Sequence, residues 1–198
     1  MGMDIYGLNP KLKGKRPEIN WEKQTTEEEK DKYFKDLSNF EAENVGYYFR
    51  NNVWWWRPIA DLIIGLNEDW LTEEQKERLH DNSGFEFSEE EAMKIKLSLE
   101  KVINNGWLKK AEIAWKKKAK QAEEWNKGIA LEMEELKKQA IKETAKADIA
   151  PKDYPPHLKL KWNKLWESED RTSSYPVSVE NTKNFVSFLS ECGGFKIC

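Results

Sequence analysis

The sequence predicts a mainly α-helical protein, α+β only in the loose sense, with a small pair of β-strands from the two chain ends and a long charged helical hairpin. Three observations predict this class. Thr or Ser followed three positions later by Glu or Gln, the spacing of a helix-capping box, recurs before apolar segments. Between residues 107 and 147, apolar residues recur in steps of three and four, as on one side of a helix. Short apolar segments bounded by turn residues occur at both chain ends.

Capping and turn residues define the elements of the first half of the chain. Asn9 and Pro10 end a first strand. Thr25 or Thr26 begins a helix whose first turn is rich in Glu. Pro58 fits the first turn of a short helix. The predicted elements are a strand over residues 3–8 and helices over residues 25–44, 59–64, 72–80 and 88–103.

The most regular segment lies between residues 107 and 147. Its apolar residues form one narrow, alanine-rich stripe, and Lys and Glu fill the other faces. Asn105 and Gly106 predict a turn before it, so we expect a hairpin with the preceding helix. The stripe consists of Ala111, Trp115, Ala122, Trp125, Ile129, Met133, Leu136 and Ala140.

The last part of the chain is predicted to contain short elements. Residues 150–156 are typical of a linker, and the polar residues 167–176 are predicted to be the most mobile segment. We predict helices over residues 157–166 and 178–190 and a final strand over residues 195–198. The first and last strands are each too short to be stable alone, so we expect them to pair with each other.

The predicted domain organisation follows from these elements. Residues 1–104 and 149–198 are expected to form one compact domain. Residues 105–148 form a long charged helix, which makes a hairpin arm with residues 88–104. Because the apolar stripe is narrow and alanine-rich, we expect the arm to project from the domain or to pair with another subunit. We expect a homodimer or a higher homo-oligomer through this hairpin.

Composition argues against several classes of function. The 33 Lys and Arg residues against 36 Asp and Glu residues give a net charge of −3, which argues against general nucleic-acid binding. Cys192 and Cys198 provide no disulfide framework and, without a nearby His, a poor metal site. The most apolar stretch, residues 53–66, is too short to span a membrane and contains charged residues. With no evident signal peptide, we expect a cytoplasmic protein that does not bind membranes.

The sequence lacks the familiar catalytic and cofactor motifs. It contains no Gly-rich phosphate loop, H-E-x-x-H, C-x-x-C or G-x-S-x-G, so we predict no metal, cofactor or catalytic residue. His80 adjoins Asp81, and such a pair can act as a general base. The favoured interpretation is structural, with His80 at a helix C-terminus and Asp81 at the start of a turn.

The segment from Tyr47 to Arg57 concentrates aromatic, Arg and Asn residues. Three consecutive Trp side chains cannot all face one core, because neighbours diverge by about 100° on a helix or 180° on a strand. An exposed indole can stack on a base while a guanidinium holds a phosphate or carboxylate. The alternative is a core anchor, in which the Trp side chains pack inside the protein. The candidate ligand-binding residues are Arg50, Asn51, Asn52, Trp54, Trp55, Trp56 and Arg57.

A second candidate ligand-binding segment is the turn that contains Asp81, Asn82 and Gly84. Glycine permits close approach of the backbone to an anion or a ring. Gly193 and Gly194 share this property. For both segments, an ordinary turn or helix end is the favoured interpretation.

Three segments of the chain carry a resemblance to known proteins. They are MGMDIY at the start, YFRNNVWWWRP at residues 48–58, and the end from VEN at 179–181 through GGF at 193–195. They resemble a group of small uncharacterised proteins from tailed phages and their host bacteria. The resemblance covers the two ends and residues 47–66, but not the hairpin. It implies no enzymatic activity and no site residue, and it implies the cytoplasm of an infected bacterium as the setting.

Three functions are consistent with these observations. The first is a non-catalytic binder of a small anionic, nucleotide-derived ligand, which would act as a phage counter-defence protein by sequestering a signal. In it, a Trp would stack on the base, the Arg residues would hold phosphate, and the Asn residues would contact polar edges. The second is a protein-interaction module that binds a host or phage protein through the charged hairpin. The third is a nucleotide-signal hydrolase that uses His80 with Asp81, or clustered Glu residues.

Overall fold

The computed structural model describes residues 2–22 and 25–198. Within them, the strands are β1 (Gly2–Gly7), β2 (Tyr48–Asn52), β3 (Phe85–Phe87) and β4 (Phe195–Ile197). The helices are α1 (Glu27–Glu43), α2 (Val53–Leu66), α3 (Glu73–Arg78), α4 (Glu89–Asn104), α5 (Trp107–Thr144), α6 (Pro156–Glu167) and α7 (Val179–Leu189). The protein is therefore mainly α-helical with a small antiparallel sheet, which confirms the predicted fold class.

Side-chain caps begin four of the helices close to where the sequence predicts them. The side chains of Thr26, Thr72 and Ser88 each accept a hydrogen bond from the N–H group three residues later, within a complete capping box. Ser178 accepts the corresponding bond at α7. Each cap satisfies an N–H group that the first helical turn leaves unpaired, which is why these boundaries are readable from local sequence.

The sheet contains four antiparallel strands in the order β2-β1-β4-β3. The predicted pairing of the terminal strands is confirmed, because Ile5 lies opposite Ile197 and Tyr6 lies opposite Lys196. Strands β2 and β3 extend the sheet on either side and were not predicted from the sequence. Both are short, and a short strand is defined by its pairing partner more than by its own periodicity.

The chain divides into two compact units, and the first comprises residues up to 111 together with residues 177–198. Its core lies between one face of the sheet and helices α2, α4 and α7. Alternation along β1 directs Met3 and Ile5 into this core. The rings of Phe185 and Phe188 on α7 stack with their centroids 5.9 Å apart. The opposite alternation leaves polar and tyrosine side chains of the strands on the other face of the sheet.

Helix α2 begins six residues before the predicted boundary at residue 59. Asn52 caps it, and Pro58 lies inside the helix. The prediction that Pro58 occupies the first turn was therefore wrong. Proline at this position removes one backbone hydrogen bond. Burial of Trp56, Ile59 and Ile63 on one face of α2 offsets that loss.

The second unit comprises residues 112–176. Leu136 and Ala140 of α5 form a small core with Ile149, Tyr154 and Leu158. The segment predicted as a linker, residues 150–156, therefore supplies the buried Tyr154 and contains a single 3-10 turn at Pro151–Asp153.

The segment predicted to be most mobile, residues 167–176, is hydrogen-bonded to α5. Trp115 Nε1 donates to the Thr172 carbonyl at 3.0 Å, and Trp125 Nε1 donates to the Ser168 carbonyl, also at 3.0 Å. The Asn126 side chain both donates to the Asp170 carbonyl at 2.7 Å and accepts from the Asp170 N–H at 2.9 Å. Four hydrogen bonds therefore attach this segment to residues 115–126 of α5.

This division differs from the predicted domain boundaries. Residues 149–176 belong to the same unit as most of α5, although they were predicted to be part of the compact domain. The reason is that these residues contact the apolar stripe of α5. No helix in the described part of the chain is long and apolar enough to cross a membrane.

Candidate functional site

One end of the sheet brings the two predicted candidate segments together. Because the strands are antiparallel, the start of β1, the end of β2, the start of β3 and the end of β4 lie at this end. Asn52 is opposite Gly2 in the β1–β2 register. The Asn82 side chain donates to the Gly2 carbonyl at 2.9 Å, and the Gly84 N–H donates to the Ile197 carbonyl at 2.7 Å. The turn before β3, at residues 81–84, is therefore held by hydrogen bonds near the N-terminus of α2.

The three consecutive Trp residues have different environments. Trp56 is fully buried, its Nε1 donates to the Leu79 carbonyl at 2.6 Å, and its ring meets Phe185 edge to face at 5.2 Å. Trp54 and Trp55 are 45% and 40% exposed. The prediction that the three could not all face one core is confirmed. Trp56 is a core anchor, and it leaves two adjacent exposed indoles at the start of α2.

Asn51 and Asn52, just before α2, hold the backbone that carries these indoles. Asn52 Oδ1 accepts hydrogen bonds from the N–H groups of both Trp54 and Trp55 at 3.0 Å. Asn51 Nδ2 donates to Asn181 Oδ1 at 3.1 Å, and Asn181 Nδ2 donates to the Trp55 carbonyl at 3.2 Å. Asn181 was not predicted from the sequence, because its role depends on a contact with a residue 130 positions away. These bonds hold the backbone of Trp54 and Trp55 in place.

Arg50 and a group of polar side chains lie on the outer face of the sheet. Arg50 is opposite Asp4, and its Nε lies 3.7 Å from Asp4 Oδ1. The Tyr48 hydroxyl donates to the same carboxylate, and the Tyr48 and Tyr6 ring centroids are 5.0 Å apart. Burial, followed by the hydrogen bond to Asp4, raises the pKa of Tyr48 well above its ordinary value. Asp4 and Tyr6 were not among the predicted site residues, although their alternation along β1 could have indicated them.

The turn after α3 is organised by Asp81. Its carboxylate accepts hydrogen bonds from Arg78 Nη1 at 3.0 Å and from the Ser83 N–H at 3.1 Å. Hydrogen bonds from Ser83 and then Arg78 lower the pKa of Asp81. His80 pairs instead with Asp61, with Nε2 and Oδ1 3.3 Å apart. The suggested His80–Asp81 general-base pair is therefore corrected, and Asp81 has the turn-forming role that the sequence favoured.

The charge around the start of α2 differs from that of the other capped helices in the first unit. Helices α1, α3 and α4 carry two or three Glu residues in their first turns, whereas α2 carries no acidic residue there. Arg50 precedes this helix start and Arg57 follows it on an exposed position of α2. Since a helix N-terminus itself attracts negative charge, this end of the sheet suits an anion better than the starts of α1, α3 and α4 do.

Within the described residues, no three His, Cys, Asp or Glu side chains come together in a group that could hold a metal ion. The arrangement therefore offers aromatic surface, guanidinium groups and a helix start, which together can hold a flat anionic molecule by stacking and ion pairing. Comparisons with family models, with curated proteins and with solved structures give no match.

Proposed function

We propose that this protein binds a small anionic, nucleotide-derived ligand without converting it. The ligand lies at the end of the sheet where α2 begins. Its base stacks on the indole of Trp54 or Trp55, and its phosphate pairs with Arg50 or Arg57. The pool of ligand available to other receptors is thereby reduced, which is the action of a phage counter-defence protein in the setting that the sequence resemblance implies.

The observation that carries this proposal is the exposure of two adjacent indoles on a rigidly held helix start. Trp54 and Trp55 are exposed, while the adjacent Trp56 is buried and anchors this helical turn to the core. Asn52 and Asn181 fix their backbone. Large aromatic surface that is held in place and left in contact with water is a common feature of stacking sites.

The contacts of the two Asn residues modify the ligand contacts expected from the sequence. Asn51 donates to Asn181, and Asn52 caps α2. We therefore propose that Asn51 and Asn52 position the Trp residues. The main contacts with the ligand are then base stacking and ion pairing. Binding through stacking and charge makes few demands on the base edge, so we expect related nucleotides to compete with one another.

The test measures binding to the full chain and to single variants. Purified protein is titrated with cyclic dinucleotides, cyclic ADP-ribose isomers, nucleoside triphosphates and NAD, with Trp fluorescence and thermal shift as readouts. A ligand that binds only the folded state must raise the melting temperature. We expect Trp54→Ala or Trp55→Ala to weaken binding of the identified ligand by about 5- to 150-fold, the range for loss of one stacked base.

Trp107→Ala is the matched control, because Trp107 is similarly exposed but lies outside the site. It should leave affinity unchanged. The ligand is then recovered after long incubation, and chemical conversion would favour the hydrolase alternative. No response to any compound, or equal losses in all three variants, would overturn the proposed site.

A further inference from the structure

A groove in the second unit lies between α5 and α6. It has a volume of about 570 Å³. Leu136 and Leu165 contribute to its apolar floor, and Leu131 on its rim is 66% exposed. Leu160, one turn before Lys164 on the same side of α6, is 64% exposed. Two large leucines are therefore in contact with water beside an apolar groove.

The two walls of this groove carry opposite charges. Glu132 and Glu135 line the α5 side, and Lys161 and Lys164 line the α6 side. Glu135 bonds to Lys138 of its own helix at 2.8 Å. In the part of the chain that the structure describes, no ion pair crosses the groove. The groove is thus an acidic wall facing a basic wall, with an unfilled apolar space between them.

We propose that this groove is a self-association surface whose occupant is the same groove of a second copy of the chain. A two-fold axis exchanges the walls, so the acidic wall of each copy meets the basic wall of the other. Each charged pair is separated by three residues, so each spans about 4.5 Å along its helix. The spacing therefore matches, and the exposed leucines of both copies become buried between the helices.

Gly128 supports a close approach of the second copy. It lies three and four residues before Leu131 and Glu132 and therefore on the same side of α5. An added Cβ there would meet nothing within 4 Å. Glycine inside a long helix is unfavourable for the isolated helix, but it allows another backbone to approach closely. This inference is independent of the proposed ligand site, which lies in the first unit.

The test uses charge reversal and mixing of the full-length chain. Sedimentation equilibrium at micromolar concentrations measures dimerisation of the wild type, of the double variant Glu132→Lys with Glu135→Lys, and of the double variant Lys161→Glu with Lys164→Glu. We expect each double variant to dimerise at least about tenfold more weakly, because like charges face one another. An equimolar mixture of the two should restore the dimer, since each acidic wall then meets a basic wall.

The matched control is Lys117→Glu with Lys118→Glu, which makes the same charge change on exposed positions of α5 outside the groove. It should leave dimerisation unchanged. Leu131→Glu should also weaken the dimer, and helical circular dichroism checks that every variant folds. The proposal is overturned if the wild type is monomeric or if the mixture stays monomeric. It is also overturned if the wild-type monomer binds a different protein through this groove.

Discussion

Cys192 is a thiol enclosed by the core of the first unit. It is fully buried, and its Sγ lies 3.6 Å from the Leu189 carbonyl as a weak donor. Burial raises the pKa of the thiol to about 11, from an ordinary value of 9.0. The protonated thiol is therefore favoured in the folded state, which links the stability of this core to pH.

We expect the free energy of unfolding to fall as the pH rises above about 9. The unfolded chain releases the thiol proton near pH 9.0, whereas the folded chain keeps it until about pH 11, so the stabilisation is complete below this window and is lost through it. The slope approaches ~1.4 kcal/mol per pH unit. Urea denaturation between pH 8 and 10 measures this slope. The range is chosen because tyrosines titrate mostly above it.

Substitution of each cysteine separates this effect from general alkaline destabilisation. Cys192→Ala should lose the slope, while Cys198→Ala, at the partly exposed C-terminus, should retain it. If all three proteins show the same slope, the buried thiol is not its source.

At the level of single residues, the sequence predicts side-chain chemistry better than side-chain contacts. The divergence of three consecutive Trp side chains follows from backbone geometry alone, so the exposure of at least one could be predicted. The sequence could not show that Asn51 would meet Asn181 or that His80 would meet Asp61. Those pairs depend on strand and helix packing between distant segments.

Among the individual elements, the start of α2 has the clearest structural dependence on one side chain. The Asn52 amide oxygen accepts from two N–H groups that the first helical turn leaves unpaired. The same turn presents the two exposed indoles. The geometry of the proposed site therefore depends on a cap that does not itself need to touch the ligand.

We expect Asn52→Ala to lower the free energy of unfolding by about 1 kcal/mol, the usual cost of removing a cap. Asn52→Asp should retain stability, because a carboxylate accepts the same bonds and suits a helix N-terminus. On the proposed function, Asn52→Asp should nevertheless weaken anion binding, since it adds negative charge at the site. Urea denaturation and ligand titration measure the two effects separately.

Asn163→Ala on α6 provides the control for a general effect of replacing Asn. Asn163 is exposed, and alanine has the better helix propensity, so stability should be unchanged or slightly higher. Equal destabilisation by Asn52→Ala and Asn52→Asp would contradict the capping role.

Helices with local caps could be predicted closely, whereas elements defined by distant partners could not. Thr26, Thr72 and Ser88 each predict the start of a helix, because each cap and the residue that it bonds to are only three positions apart. Strand β3 has only three residues, and its pairing partner lies at the other end of the chain. The early start of α2 was missed because Pro58 is more often found at a first turn than inside a helix.

At the scale of the whole molecule, the described residues form two hydrophobic cores that share no residue. One is built from the sheet with α2, α4 and α7, and the other from α5, α6 and the segment between them. The stripe along α5 was expected to project or to pair with another subunit, whereas residues 149–176 of the same chain cover part of it. Residues 149–176 were predicted to be part of the compact domain, because no local sequence pattern predicts their contacts with α5.

Separate cores predict separate responses to core substitutions. Leu158 is fully buried in the second unit. Leu158→Ala should lower the free energy of unfolding by about 2–5 kcal/mol, because apolar burial is lost and a cavity forms. Hydrogen exchange followed peptide by peptide should show lost protection within residues 112–176, with protection of α2 and α7 unchanged. Phe188→Ala, which should cost about 3–5 kcal/mol, should have the reverse pattern. Equal loss of protection in both units after either substitution would mean that they unfold as one cooperative unit, because local damage would then be transmitted throughout the chain.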